Sequence, residues 1–346
     1  MQTKGYATQS ATSPLGPFEF ERRSAGDRDV QIAIEFCGVC HSDIHFARNE
    51  WGMTTYPFVP GHEIIGRVVK TGKDVRKFKT GQRVGVGCFV NSCRTCGSCK
   101  SDNENYCETG FTMTYGSLDL DGKTPTYGGY SNQIVVDKHF VLDVPEKLDP
   151  AGAAPLLCAG ITTYSPLRHI GVTKGSRIAV MGLGGLGHMA VKLAASFGAE
   201  VTVLSRSADK QADAKKLGAH EFILTNTDGA LNKLANRYDA IVDTISAKHD
   251  INGPLNCLKR DGTLVLLGAP PETLDLSAFA LIFGRRKVMG SLVGGIRETQ
   301  EMLDHCGAHG ITSDIEMTTP DRINEAFERT LKGDVKYRFV IDCSKF

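Results

Sequence analysis

The hexapeptide Gly182-Leu183-Gly184-Gly185-Leu186-Gly187 constrains this chain more than any other segment. It follows an apolar run at 177–181 and opens an apolar stretch at 188–197 whose spacing predicts a helix. In a G-x-G-x-x-G turn the first glycine permits the bend. The second lets backbone approach a pyrophosphate, and the third lets helix and strand pack closely. The helix N-terminus then offers free N–H groups and the positive end of its macrodipole to the anion. Gly182, Gly184, Gly185, Leu186 and Gly187 are therefore the expected cofactor-binding loop; the bland alternative is a glycine-rich turn without a ligand.

Further apolar runs at 201–204, 221–224, 239–243, 263–268 and 287–293, with helical stretches such as 208–217 between the early ones, imply a parallel, doubly wound sheet. Residues 1 to about 150 differ. Short β-branched runs at 32–36, 64–69 and 83–86 among turn signals predict a mostly-β body. The tail carries a helical pattern at 298–305 and a closing strand at 337–342, expected to rejoin the first region. The fold class is thus α/β plus mostly-β. Expected boundaries are a catalytic domain over 1–151, a dinucleotide domain over 152–288, and a return to the first domain over 289–346.

Forty basic and thirty-nine acidic residues give a net charge of +1, which offers no electrostatic footprint for nucleic acid or an anionic membrane. No apolar stretch reaches the length of a membrane-spanning helix, and the first residues lack the apolar core of a secretory signal. A cytoplasmic location is expected. In such a chain eleven cysteines, an odd number, favour metal or redox chemistry over a disulfide framework. Cys93, Cys96, Cys99 and Cys107 give C-x2-C-x2-C-x7-C in a polar loop, a lobe spanning about 88–110. Four thiolates can enclose one ion tetrahedrally with no open position, the pattern of a structural zinc site; the ferredoxin-type cluster runs differ in spacing.

The second strand of the dinucleotide region ends Leu204-Ser205-Arg206-Ser207, followed by Lys210. An NAD-preferring site places a carboxylate there to hold the ribose hydroxyls. A hydroxyl with two cations instead binds a 2′-phosphate through charge-assisted hydrogen bonds. Ser205, Arg206, Ser207 and Lys210 therefore point to NADP(H), against the plainer alternative of Ser207 as a helix cap with Arg206 and Lys210 on a wet face.

Taken with Cys40-His41-Ser42-Asp43, Pro60-Gly61-His62-Glu63, Leu156-Leu157-Cys158-Ala159-Gly160 and Asp334-Val335-Lys336-Tyr337-Arg338-Phe339, these motifs run the length of the chain. The combination resembles the zinc-dependent medium-chain alcohol dehydrogenases, and within them the cinnamyl-alcohol-dehydrogenase-type, NADP-dependent branch. The resemblance implies a discontinuous GroES-like catalytic domain, a Rossmann domain and an active site in the cleft between them. It implies two Zn2+ ions per chain, the second held by Cys40, His62 and Cys158 with one position open. Glu63 resembles an acid that can serve as a fourth ligand, and Asp43 a carboxylate that fixes a ligand imidazole. The implied reaction is hydride transfer between NADP(H) and a primary alcohol or aldehyde, with zinc as Lewis acid.

Ser42 and His45 stand three apart, so on a helix they share a face and are expected to relay the substrate proton. By the same resemblance His41 and Arg338 are expected at the pyrophosphate and Thr162 near the cofactor. Trp51, Met53 and Phe111 would line the substrate cleft, the stretch 111–115 adding an aromatic wall. An edge strand at 287–293 implies a homodimer. The expected partners are small aldehydes and alcohols, with no nucleic acid and no membrane. Two alternatives stand beside this reading. One is a polyol or secondary-alcohol dehydrogenase of the same superfamily; the other is a zinc-binding interaction or sensor protein without activity.

Overall fold

The strand–helix alternation of the middle of the chain builds a six-stranded parallel sheet. In chain order its strands are Arg177–Met181, Glu200–Ser205, Glu221–Leu224, Tyr238–Asp243, Leu258–Leu266 and Lys287–Gly290. They lie in the order third, second, first, fourth, fifth, sixth, all parallel, which is the doubly wound arrangement. Near-continuous burial of Ile178, Ala179, Val180, Val201, Val203, Ile241 and Val242 follows from helices covering both faces. The stretch at 208–217 begins as a tight 3-10 turn, Ala208–Lys210, before the α-helix Gln211–Lys216. The computed structural model from which these features are read describes residues 1–227, 229–270 and 272–346.

The remainder of the chain forms a mostly antiparallel sheet. Its strands run in the order Ile315–Thr318, Arg338–Asp342, Asp29–Gly38, Ile64–Thr71, Arg83–Val86, Leu142–Asp143, and Gln133–Asp137 also pairs with Asp29–Gly38. The tail re-enters here, with Ile341 opposite Cys37 in the register. Strand residues Val30, Ile32 and Ile34 alternate inward, and with Ile64, Ile65, Val84 and Val86 they form the core. Each such side chain contributes about 1.5–3 kcal/mol relative to exposure.

The chain divides into two compact units, Met1–Ile161 with Gly294–Phe346, and Thr162–Val293. These breaks fall later than the boundaries expected at 151/152 and 288/289. The first is displaced because the segment carrying Cys158 packs on the β body. The space a Cβ would occupy at Gly85 is bounded by the Leu157 side chain, and Cys88 Sγ lies 3.6 Å from the Leu157 carbonyl. The second is displaced because Lys287–Gly290 completes the parallel sheet and Val293 is buried. Within the first unit, Gly294 lies against Ile161, so close that a Cβ there would stand 2.7 Å from Ile161 Cδ1. Among the described residues no helix is long and apolar enough to cross a membrane.

Candidate active site

Strand Asp29–Gly38 leads through Val39 to Cys40, which occupies the N-cap of the short helix His41–Ala47. Asp43, in the first turn of that helix, folds its carboxylate back so that Oδ2 accepts the Cys40 N–H at 2.8 Å. Its other oxygen, Oδ1, accepts the Gly61 N–H at 3.0 Å and lies 3.1 Å from His62 Nδ1. Tyr130 donates its hydroxyl to Oδ2 at 3.3 Å. One fully buried carboxylate thus fixes the backbone at Cys40 and Gly61 and the ring of His62. With Nδ1 held by Asp43, Nε2 is the nitrogen left to bind a metal. Burial works against the charged imidazole, but Asp43 more than offsets it and lifts the His62 pKa well above its usual value.

Cys158 follows the turn Ala154–Leu157 and precedes the helix Ala159–His169. Its sulfur lies 3.9 Å from that of Cys40. Cys40, His62, Glu63 and Cys158 each offer one donor atom, all within 4.8 Å of one another, and all four residues are buried. Zn–S bonds of about 2.3 Å at tetrahedral angles set two sulfurs about 3.8 Å apart, so the spacing fits zinc. The proton chemistry fits as well. The Cys158 thiol hydrogen bond, with Arg338 and His62, holds Cys40 well below the ordinary thiol range. Cys40, Cys88 and burial together push Cys158 well above it. The two sulfurs cannot both ionise here by themselves, and a dication offsets that repulsion.

Glu63 is buried and paired with the Arg338 guanidinium, and burial pushes its pKa up to about 7. Its Oε2 has no hydrogen-bond partner, and a Cβ on Gly38 would stand 1.9 Å from that atom. Arg338, expected at a pyrophosphate, is placed on Glu63, and its Nε is sealed in the interior without a partner.

Cys93, Cys96, Cys99 and Cys107 also gather, with their sulfurs within 4.8 Å of one another and Cys93 and Cys99 3.9 Å apart. The Cys96 N–H points at Cys93 Sγ and the Cys99 N–H at Cys96 Sγ, each at 3.4 Å. Backbone N–H groups of Thr95 and Cys96 hold Cys93 down at about 5, whereas burial pushes Cys99 up to about 12. Four sulfurs and no carboxylate are a closed, soft donor set that suits a structural zinc.

His41, Ser42 and His45 share the helix that begins after Cys40. His41 is exposed, and Ser42 and His45 are half-buried on successive turns without a direct hydrogen bond between them. His45 Nδ1 pairs with Glu50, and its ring tilts over Trp51 at 4.9 Å between centroids. Phe46 meets Trp51 edge-on at 5.1 Å and Tyr115 at 5.2 Å, and Tyr115 meets His62 at 5.3 Å. A continuous series of rings therefore runs from Trp51 to a metal-set histidine. Met53 is exposed beside it in sequence. Phe111 is not part of the series: its ring packs on Phe89, which packs on Phe140. Of the stretch expected to supply an aromatic wall, Tyr115 is the residue that reaches the metal set.

In the parallel sheet, Gly182 has φ +84° and a Cβ on Gly187 would stand 2.2 Å from the Gly182 carbonyl oxygen, so both positions require glycine. A Cβ on Gly184 would meet nothing within 4 Å, so this side of the loop backbone is open. The helix Gly187–Ser196 begins at Leu186 with no side-chain cap, and the His188 N–H of its first turn donates to the Gly184 carbonyl at 3.0 Å. Ser205, at the end of the second strand, accepts the Ser207 N–H through Oγ at 3.2 Å. Ser207 makes no side-chain cap bond. Lys210 reaches back to donate to the Leu183 carbonyl at 3.1 Å, which brings it to the glycine loop. Arg206 is exposed, and Thr162 is buried in the helix Ala159–His169.

Glu50, Tyr130, Cys88 and the hydroxyl of Tyr115 have no motif in the sequence that assigns them to this site. Tyr130 follows two glycines and Tyr115 precedes one, a signal of close backbone approach and no more. Comparison with known proteins completes the picture. Residues 26–146 match the family model of the alcohol dehydrogenase GroES-like domain, and residues 185–308 that of the zinc-binding dehydrogenases. The chain is 54% identical over 338 residues to NADP-dependent alcohol dehydrogenase C 1 of Mycolicibacterium smegmatis, covering 97% of each. A cinnamyl alcohol dehydrogenase structure from Sorghum bicolor superposes with a TM-score of 0.96 at 46% identity, covering 99% of this chain and 98% of that one. The crystal structure of CAD from Helicobacter pylori, complexed with NADP(H), gives a TM-score of 0.94 at 45% identity, covering 100% of this chain and 99% of that one.

Proposed function

We propose, from the premise that this chain belongs to the zinc-dependent medium-chain alcohol dehydrogenases of the cinnamyl type, that it acts chiefly as a broad aldehyde reductase on aromatic and medium aliphatic aldehydes. It is an NADP-dependent zinc oxidoreductase of alcohols and aldehydes. The observation that carries the finer reading is the ring series Trp51, Phe46, Tyr115 ending on His62. Flat apolar walls next to the reacting centre favour an aromatic substrate over a polyol, whose hydroxyls would need polar partners.

Bound zinc supplies a Lewis acid for the substrate oxygen, and bound NADP(H) supplies or accepts the hydride. Cys40, His62 and Cys158 would hold the catalytic zinc, with Glu63 in reach as a fourth donor. Cys93, Cys96, Cys99 and Cys107 would hold the structural one. Asp43 keeps the His62 ring oriented. Ser42 and His45 would pass the substrate proton outward, with Glu50 completing the path to solvent. The glycine loop would hold the pyrophosphate, helped by His41 and Arg338, with Thr162 contacting the cofactor. Metal thiolates need reduced cysteines, which supports a cytoplasmic location.

Initial rates with NADPH and NADH against benzaldehyde, cinnamaldehyde and, in reverse, a sugar alcohol test this reading. NADPH with the aromatic aldehydes is expected to dominate, and a faster sugar alcohol would overturn it. In the pair Ser205→Asp, Arg206→Ala, kcat/KM for NADPH is expected to fall by about 100-fold while that for NADH holds or rises, since two charge-assisted hydrogen bonds are lost. Equal losses with both cofactors would remove these residues from the 2′-phosphate pocket.

A homodimer is part of the same proposal. Among the described residues strand Lys287–Gly290 has one neighbour in its sheet, and beside it in the chain Phe279, Ile282 and Phe283 are exposed at 64%, 67% and 83%. Phe279 and Phe283 stack at 5.5 Å, and Leu276 extends this apolar surface. Such a patch on an edge fits a second copy across a two-fold axis. Phe283→Glu is expected to halve the mass seen by light scattering; an unchanged mass would place the interface elsewhere.

A further inference from the structure

Tyr115 is only 3% exposed, and its ring is locked by three neighbours: Phe46, Phe58 at 5.1 Å and His62, each met edge-on. The backbone on either side is fixed as well. Thr114 donates its N–H to the Cys88 carbonyl at 3.1 Å and its hydroxyl to the Gly87 carbonyl. Gly116 takes φ +64° where a Cβ would meet Phe58 at 3.2 Å. A buried phenol held this firmly normally finds a hydrogen-bond partner. Tyr130 has one in Asp43, and Tyr56 has one in the Ala47 carbonyl.

Among the described residues the Tyr115 hydroxyl has none. Nor is it among the sealed polar atoms of the interior, so it opens onto accessible space. The hydroxyl therefore stands beside the metal set with a proton to donate and, among the described residues, no protein atom to receive it.

We propose that the Tyr115 hydroxyl donates a hydrogen bond to the carbonyl oxygen of the aldehyde, as a substrate-contacting residue outside the metal ligands and the Ser42–His45 pair. This rests on the aldehyde reductase reading above. The donor is preorganised by its ring contacts, so the bond strengthens as negative charge develops on the oxygen during reduction. No covalent bond to the tyrosine forms, and its proton stays on the phenol.

Tyr115→Phe keeps the ring and removes the donor. Its zinc content and NADPH affinity are expected to match the wild type. The probe is N-benzylformamide, which carries an acceptor carbonyl but no aldehyde carbon for hydride. It is expected to bind the NADPH-loaded variant about tenfold more weakly in a fluorescence titration, and kcat/KM for benzaldehyde to fall by about tenfold or more, mainly in kcat. Unchanged formamide affinity and unchanged kcat/KM would reduce Tyr115 to packing, and loss of zinc in the variant would make it a support of the metal site; either overturns the proposal. A wild type that neither reduces benzaldehyde nor binds the formamide would sink the functional reading itself, and this proposal with it.

Discussion

Cys158→Ala is expected to lower turnover by more than about a thousandfold while the chain stays folded and its zinc content drops from two ions to one. The magnitude follows from losing a Lewis acid that contributes several kcal/mol to stabilising charge on the substrate oxygen. The Cys158 sulfur faces Cys40 at 3.9 Å, and without it the site retains one thiolate, one imidazole and Glu63, whose carboxylate is paired with Arg338. That set is poorer in charge and in soft donors, so zinc affinity should collapse. The fold should survive, because alanine removes one buried sulfur and introduces no atom where none stood. Metal analysis alongside initial rates checks both halves. A variant that kept two zinc ions and wild-type turnover would show that Cys158 is a packing residue and that the metal centre lies elsewhere.

Loss of the other metal set should produce the opposite pattern. Cys96→Ala is expected to lower the melting temperature by about 10 °C or more, the equivalent of a few kcal/mol in a chain of this size. The lobe holding these cysteines has short elements, the single-turn helices Gly97–Lys100 and Glu104–Tyr106 among them, and Cys93 and Cys96 are half-exposed, so sulfur ligation would be a large part of what holds it. The effect should spread beyond the loop. Glu104 is buried, bonded to His139 and to the Ile296 N–H, and a Cβ on Gly295 would stand 1.8 Å from the Asp102 carbonyl oxygen. The lobe therefore seats the first turn of the helix Ile296–His309. Calorimetry together with tryptic cleavage at Lys100 measures it. A melting temperature within about 2 °C of the wild type, with Lys100 still protected, would mean that the four sulfurs are not a structural site.

What could be read from the sequence depended on whether a signal is local. The glycine loop and the six apolar runs are local, so a parallel, doubly wound unit was legible, although the strand read at 263–268 spans Leu258–Leu266 and the one read at 287–293 ends at Gly290. The four-cysteine lobe was legible for the same reason. Cys40, His62 and Cys158 are separated by long stretches of chain, and no spacing rule gathers them; only the resemblance to a family did so. The contacts that complete the site are tertiary throughout. Glu50 on His45, Tyr130 on Asp43 and the position of Tyr115 depend on how three loops pack, which hydrophobic periodicity does not encode. Phe111 shows the cost: a large apolar residue near the expected cleft turned out to serve the packing around Phe89.

The contact between Ile161 and Gly294 has a further meaning. The polypeptide leaves the β body and returns to it at neighbouring points, so the nucleotide-binding segment is a guest spliced into a host whose severed ends already touch. Bridging those ends after excision costs little chain entropy, because a short linker closes a short gap. Every residue of both metal sets lies in the host, and the glycine loop lies in the guest.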